Sequence, residues 1–320
     1  MPVEVSIFSS GAYSIKKVAR QLYRVLREHV KCKLYHGFFN PNVPRGYAII
    51  VGNPHFWEKR IYDALKTNHN IRGFIFYMTV EGNVRESHLR HIQWLHDGVI
   101  VTPSHYVKRK LEQCGFRVEK VIPHGVEVYG DVKRRNTGTL GYIAGYLQRK
   151  YPRYGVEAVR MAGVRPYLIT TGNNPYLKYF SVVSTKEYHD AHVPDWKVLK
   201  LYRDSAFYLN LSDAEGFGIT PLEACAMGTP VIAPRYPPLT EFLLPFTLWV
   251  PVTGRVWYEN WGGWLDIEHH EYRPADMARV IRRALGMSDR EYEELSAKCI
   301  EHALRYDIRR VYTQFLDLVT

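Results

Sequence analysis

The chain is 320 residues long, 46% hydrophobic and 23% charged, the balance of one large or two ordinary globular domains, and no apolar run approaches the length of a membrane-spanning helix. Its four cysteines stand singly, with no CxxC pair, which argues against zinc or dithiol work and fits a reducing cytoplasm. The net charge of +11 lies wholly in residues 1–138, where 22 Lys and Arg face 11 Asp and Glu while the remainder holds 21 of each; such a field attracts nucleic acid, an anionic membrane or a phosphorylated substrate, unless it serves solubility alone.

Val3–Phe8 reads as a short apolar strand and Ser9–Ala12 as a turn, an opening unlike a signal peptide. A helix is expected from about Ser14 to Val30, with Ile15, Val18, Ala19, Leu22, Val25, Leu26 and Val30 at helical spacing. Lys16, Lys17, Arg20, Arg24, Arg27 and Lys31 crowd its other faces, so it suits an anionic lipid surface or simply buries its stripe on its own sheet. Buried strands follow at Tyr47–Val51, Gly73–Met78 and Gly98–Thr102, then a helix Ser104–Gln113 and a strand Val118–Ile122. The polar stretch Asp131–Gly138 is the linker candidate. The alternation then restarts with strand Thr139–Ala144, helix Gly155–Ala162, strand Tyr167–Thr170, helix Trp196–Arg203, strand Ala206–Leu211, helix Pro221–Met227 and strand Pro230–Ala233; the chain is helical from about Asp289. Such alternation predicts parallel sheets with right-handed crossovers. Two series with a linker predict an α/β chain of two doubly wound Rossmann-like domains facing across a cleft, with ligands at the carboxyl ends of the strands. The expected domains are 1–135 and 136–300, with 301–320 a C-terminal helix crossing back to the first.

The densest motif is Asp213–Pro234, DAEGFGITPLEACAMGTPVIAP. It follows a buried strand. With Thr220 as N-cap and Pro221 first in the helix, Glu223 falls at the third position and completes a formal capping box. That accounts for Thr220, Pro221 and Glu223 but leaves Glu215 and the Gly216-Phe217-Gly218 loop unexplained. A glycine pair lets a ligand approach the main chain, a helix start suits a diphosphate, and a carboxylate one turn in suits a ribose diol. Diphosphate, ribose and a further polar group in a row describe a sugar nucleotide.

The motif resembles the E-x7-E region of retaining glycosyltransferases of the two-Rossmann-domain GT-B type, most closely glycosyltransferase family 4. The resemblance rests on Ser212, Glu215, Gly216, Phe217, Gly218, Leu222, Glu223, Ala224, Ala226, Gly228, Pro230, Val231, Ile232 and Ala233. VTPSHYVKRKLEQCGF with VEKVIPHGVEV, and GYIAGYLQRKYPRYGVEAVRMA, extend it over most of the chain from about Val99 to Glu241. It implies an enzyme that moves a sugar from a UDP-, GDP- or ADP-sugar donor to an acceptor hydroxyl, with no other cofactor. Glu223 matches the ribose-binding glutamate, and Glu215 the one lying against the transferred sugar. Phe217, Gly218, Ile219 and Thr220 match the segment whose main chain meets sugar and phosphate, with Gly216 between it and Glu215. The family places an Arg and a Lys against the diphosphate. Tyr146 stands at that Arg position here, so Arg149, Lys150 and Arg153 are the candidate cations, or else an exposed basic turn. Gly11 occupies the place of the family's N-terminal glycine turn.

Positioned cations and helix N–H groups stabilise a leaving diphosphate without a metal. No Asp-x-Asp triplet occurs, so no metal is expected. The family's same-face reaction has no dedicated nucleophile. Many relatives carry a His near the transferred sugar; here GFIFYMTVEGNV lacks it, and Glu81 is the nearest ionisable group, a candidate for the sugar or acceptor or else an ordinary loop glutamate. Nothing selects among His36, His55, His88 and His105. The acceptor is open, with a lipid-linked or anionic one on the cytoplasmic face of a membrane as one expectation. The competing functions are a GT-B phosphorylase or epimerase and a basic nucleic-acid-binding protein, the latter without an RNP motif, zinc finger or helix-turn-helix.

Overall fold

The apolar runs of the N-terminal part become the strands of one parallel sheet. In a computed structural model of the chain, residues 3–319 are described except 10–12, 38, 134–138, 146–147, 172–174, 187–194, 244 and 246. Two units result: Met1–Gly125 with Tyr258–Ile267 and Tyr306–Thr320, and Val126–Trp257 with Glu268–Arg305.

In the first unit the order is β1 (Glu4–Ser9), α1 (Tyr13–Leu26), β2 (Lys31–His36), β3 (Gly46–Gly52), α2 (Phe56–Leu65), β4 (Ile71–Met78), β5 (Gly82–Val84), α3 (Glu86–Leu89), β6 (Val99–Thr102), α4 (His105–Glu112) and β7 (Val118–Val121). Six strands pair in the order β2-β1-β3-β4-β6-β7, all parallel. Ser104 caps α4 by accepting from the Val107 N–H at 3.1 Å, the bond that an N-cap serine supplies.

One expectation is corrected here, and one open alternative is settled. Helix α1 ends at Leu26 rather than Val30, because the chain must turn to enter the edge strand β2. Its apolar stripe is also spoken for: Val18, Ala19, Leu22, Val25 and Leu26 are each no more than 2% exposed, packed against β1, β2, β3 and, from the C-terminal segment, α11 (Ile308–Tyr312). The stripe therefore does not insert into lipid, and the basic residues belong to the outer side of an ordinary Rossmann-type helix.

The second unit runs β8 (Leu140–Gly145), α5 (Arg153–Ala162), β9 (Tyr167–Thr171), β10 (Ser181–Lys186), α6 (Asp195–Asp204), β11 (Phe207–Leu209), α7 (Ile219–Ala226), β12 (Val231–Pro234), α8 (Leu239–Phe242), β13 (Leu248–Val250), then a hairpin of β14 (Val252–Trp261) and β15 (Leu265–Tyr272), and α9 (Pro274–Leu285) and α10 (Asp289–Ala303). Its sheet has the order β10-β9-β8-β11-β12-β13, again parallel throughout. Helix α10 opens with a complete capping box between Ser288 and Glu291. The hairpin turns on Gly262 and Gly263, with φ of 59° and 76°, a conformation that suits glycine. Its tip belongs to the first unit, where Leu265–Ile267 pairs antiparallel with β5.

Candidate active site

Strands β8 and β11 are neighbours, but the chain leaves β8 for β9 on one side and β11 for β12 on the other. That reversal of strand order opens a crevice beyond their carboxyl ends, the place where doubly wound sheets bind ligands. Both candidate groups sit there: Arg149 and Lys150 in the short 3-10 turn Gln148–Lys150 after β8, and Glu215 in the loop after β11.

The loop is buried from Asn210 to Phe217. Gly218 closes it at φ 87°, where an added Cβ would lie 2.6 Å from Leu239 Cδ2. Gly218 is also the N-cap of α7 and offers no side chain to cap it. The helix thus starts at Ile219, and Thr220 and Pro221 lie inside its first turn, where a proline is tolerated. This overturns the capping box: with Gly218 as the cap, Glu223 is the fifth helical residue, two positions too deep to reach it. Its Oε2 instead accepts from the Tyr202 hydroxyl of α6 at 2.8 Å, both residues being buried. Thr220 bonds the Tyr208 phenol.

Glu215 is held between two cations. Its Oε2 lies 3.4 Å from Arg149 Nη1, and its Oε1 accepts from Lys150 Nζ. Arg149 Nη1 also donates to the Ala214 carbonyl at 2.9 Å. Burial raises the Glu215 carboxyl, but Lys150 and Arg149 together outweigh it and hold the group below its ordinary value. Two cations against one carboxylate leave this three-residue cluster with a formal charge of +1. A pair desolvated to this degree is intolerant of losing one member.

The remaining predicted residues are placed as follows. Phe217 is a packing residue, its ring stacked on Phe242 at 4.1 Å between centroids. Gly216 lies in the buried loop, and Ile219 is half-buried at the start of α7. Arg153, the first residue of α5, is exposed and stands outside the ion cluster. Glu81 is half-buried in the first unit, between β4 and β5. Gly11 and Tyr146 lie outside the described residues. Of the histidines, His36 Nδ1 meets Ser9 Oγ at 2.7 Å, His55 and His88 stack at 5.8 Å, and His105 begins α4 on the surface.

Residues that the sequence reading did not single out also meet at the loop. The Asp213 carboxylate lies 2.9 Å from His269 Nδ1 and accepts from the Tyr154 hydroxyl. The Tyr236 hydroxyl donates to the Ser212 carbonyl at 2.9 Å. Among the described residues, no group of three or more His, Cys, Asp or Glu could hold a metal ion, and no helix is long and apolar enough to cross a membrane.

Residues 190–254, which contain both glutamates, match the family model described as Glycosyl transferases group 1. The chain is 24% identical to an uncharacterized glycosyltransferase, number 335, of Sulfolobus islandicus rod-shaped virus 1, over 98% of this chain and all of that one. It is 26% identical to the alpha-monoglucosyldiacylglycerol synthase of Streptococcus pneumoniae, over 77% of this chain and 58% of that enzyme. Among solved structures, Anabaena HepE in complex with UDP and glucose superposes with a TM-score of 0.66 at 12% identity, covering 98% of both chains. These likenesses support a glycosyltransferase of the group 1 superfamily, on the GT-B fold of two Rossmann-like domains.

Proposed function

We propose that the protein is a retaining glycosyltransferase that takes a sugar from a nucleotide-sugar donor to an acceptor hydroxyl without a metal. The observation that carries this reading is the buried ion cluster of Glu215, Arg149 and Lys150 beside the start of α7. When the glycosidic bond to the diphosphate breaks, negative charge grows on the leaving oxygen. Arg149, Lys150 and the first N–H groups of α7 supply preorganised positive potential for it. Glu223, one turn further along, receives the ribose hydroxyls. Glu215 accepts from hydroxyls of the transferred sugar while its own charge is balanced by the two cations. The acceptor approaches the face that the diphosphate leaves, and the leaving phosphate takes its proton.

Two similar proteins guide the choice of substrates to test. HepE is solved with UDP and glucose, and the pneumococcal enzyme is named for a diacylglycerol product. A UDP-sugar donor and a lipid-linked acceptor follow as the first pair to try. The excess charge of residues 1–138 then draws the enzyme to an anionic membrane by electrostatics alone. A thermal-shift panel of UDP, GDP, ADP and their sugars tests the reading. Stabilisation by one nucleoside diphosphate and its sugars is expected, growing with ligand concentration; no response to any of them would reject it.

A further inference from the structure

The loop that carries Glu215 is gripped from β15 at two adjacent residues. His269 and Asp213 are both 1% exposed, with Nδ1 and Oδ1 2.9 Å apart. The Tyr154 hydroxyl donates to the other carboxylate oxygen and itself bonds the Trp257 side chain. The Trp257 ring lies flat on His269, at 3.8 Å and 5°. At the next residue, the His270 N–H donates to the Asp213 carbonyl at 2.9 Å. The His270 ring stacks on Tyr236 at 4.7 Å, and Tyr236 holds the Ser212 carbonyl. The grip reaches the cations too: the Asp213 N–H donates to the Arg149 carbonyl at 3.3 Å, and Arg149 Nη1 returns to the Ala214 carbonyl.

Packing alone does not call for this arrangement. A buried carboxylate is costly, and apolar residues of the same volume would fill the space at less cost. What the carboxylate adds is direction. With a donor on each oxygen and its main chain bonded on both sides, Asp213 has one position, and Ala214 and Glu215 follow from it.

We propose that the Asp213–His269 pair is a positioning device that sets Glu215 against Arg149 and Lys150 in the donor site. The role assigned to that site rests on the glycosyltransferase reading above; the mechanical linkage does not. His269 touches no reacting atom and acts only through the loop.

The linkage is read directly from the titration of the Glu215 carboxyl, followed by carbon NMR in glutamate-labelled protein. That carboxyl faces Lys150, Arg149 and the phenols of Tyr142, Tyr208 and Tyr236. In the unaltered protein it should titrate below the ordinary carboxylate value. His269→Leu should move it upward, as the cations lose registry. His269→Asn, whose amide N–H stands near the place of Nδ1, should move it back. Tyr154→Phe, which removes one hydroxyl, should shift it in the same direction as His269→Leu but less, and it serves if the leucine variant does not fold. Turnover gives the second readout: with an active donor, His269→Leu should lower kcat about tenfold or more with little change in KM, and His269→Asn should recover most of it. A Glu215 titration unmoved in both His269→Leu and Tyr154→Phe would overturn the proposal. If the titrations behave as described but no nucleotide sugar is consumed even by the unaltered protein, the positioning stands and the functional reading falls.

Discussion

Removing the Glu223 carboxylate separates binding from folding. The group lies one turn into α7, buried, with Oε2 accepting from Tyr202 at 2.8 Å. If it receives the ribose diol, Glu223→Ala forfeits two hydrogen bonds to a charged acceptor, and after the exchange with water the loss comes to about 2–4 kcal/mol. That corresponds to roughly a 30- to 900-fold weaker nucleotide. The same substitution removes the buried carboxylate that accepts from the Tyr202 hydroxyl, which costs about 1–3 kcal/mol of stability. Tyr202→Phe isolates the second effect, since it removes the hydroxyl and leaves the carboxylate in place. Calorimetric titration with the preferred nucleoside diphosphate, alongside thermal unfolding, reads both. Glu223→Ala should lose affinity and stability together, whereas Tyr202→Phe should lose stability with affinity within about threefold of the parent. Nucleotide affinity unchanged in Glu223→Ala, with only a lower Tm, would refute the assignment and leave Glu223 as a buried partner of Tyr202.

Lys150→Met should destabilise the fold by about 3 kcal/mol near neutral pH, because it breaks a buried pair. The Glu215 carboxyl lies below its reference value of 4.5 in the folded state, so its stabilisation is complete above that value and lost as pH falls through the lower folded one. The deficit of Lys150→Met in urea unfolding should therefore shrink on acidification below 4.5; a deficit independent of pH would contradict the pairing. Turnover should survive EDTA, and activity abolished by the chelator and restored by magnesium or manganese would show that the cations are not sufficient. Co-sedimentation with anionic vesicles should be lost at high salt and in a Lys16/Lys17/Arg20/Arg24 charge reversal; equal pelleting with neutral vesicles would remove the electrostatic account.

What can be read from the sequence is what depends on near neighbours. The apolar strands β1, β3, β4 and β6 each appear as a continuous run, as strands buried on both faces must. The loop from Glu215 to Gly218 is legible because glycines, a helix start and carboxylates stand in one short window. Arg149 and Lys150 are legible only as a basic turn; that they close on Glu215 depends on β8 and β11 being neighbours in the sheet. The Asp213–His269 contact spans 56 positions, and neither residue has a local pattern to mark it. Strand β2 escapes notice because KCKLYH is an exposed edge with alternating lysines, a feature that edges use against unwanted pairing. Helix α1 shows the opposite limit. Its amphipathic spacing is plain, but spacing cannot say whether lipid or the protein's own sheet covers the stripe. The cap of α7 is misread for a third reason: a positive-φ glycine starts the helix earlier than the nearest threonine.

The most direct test of the central claim is to follow UDP-, GDP- and ADP-sugars by proton NMR, in the presence of EDTA, with the protein and candidate lipid acceptors. One nucleotide sugar should be consumed, its nucleoside diphosphate released, and the new anomeric proton should have the configuration of the donor, with Lys150→Met much slower. Consumption of none of them, or a product of inverted configuration, would contradict the account.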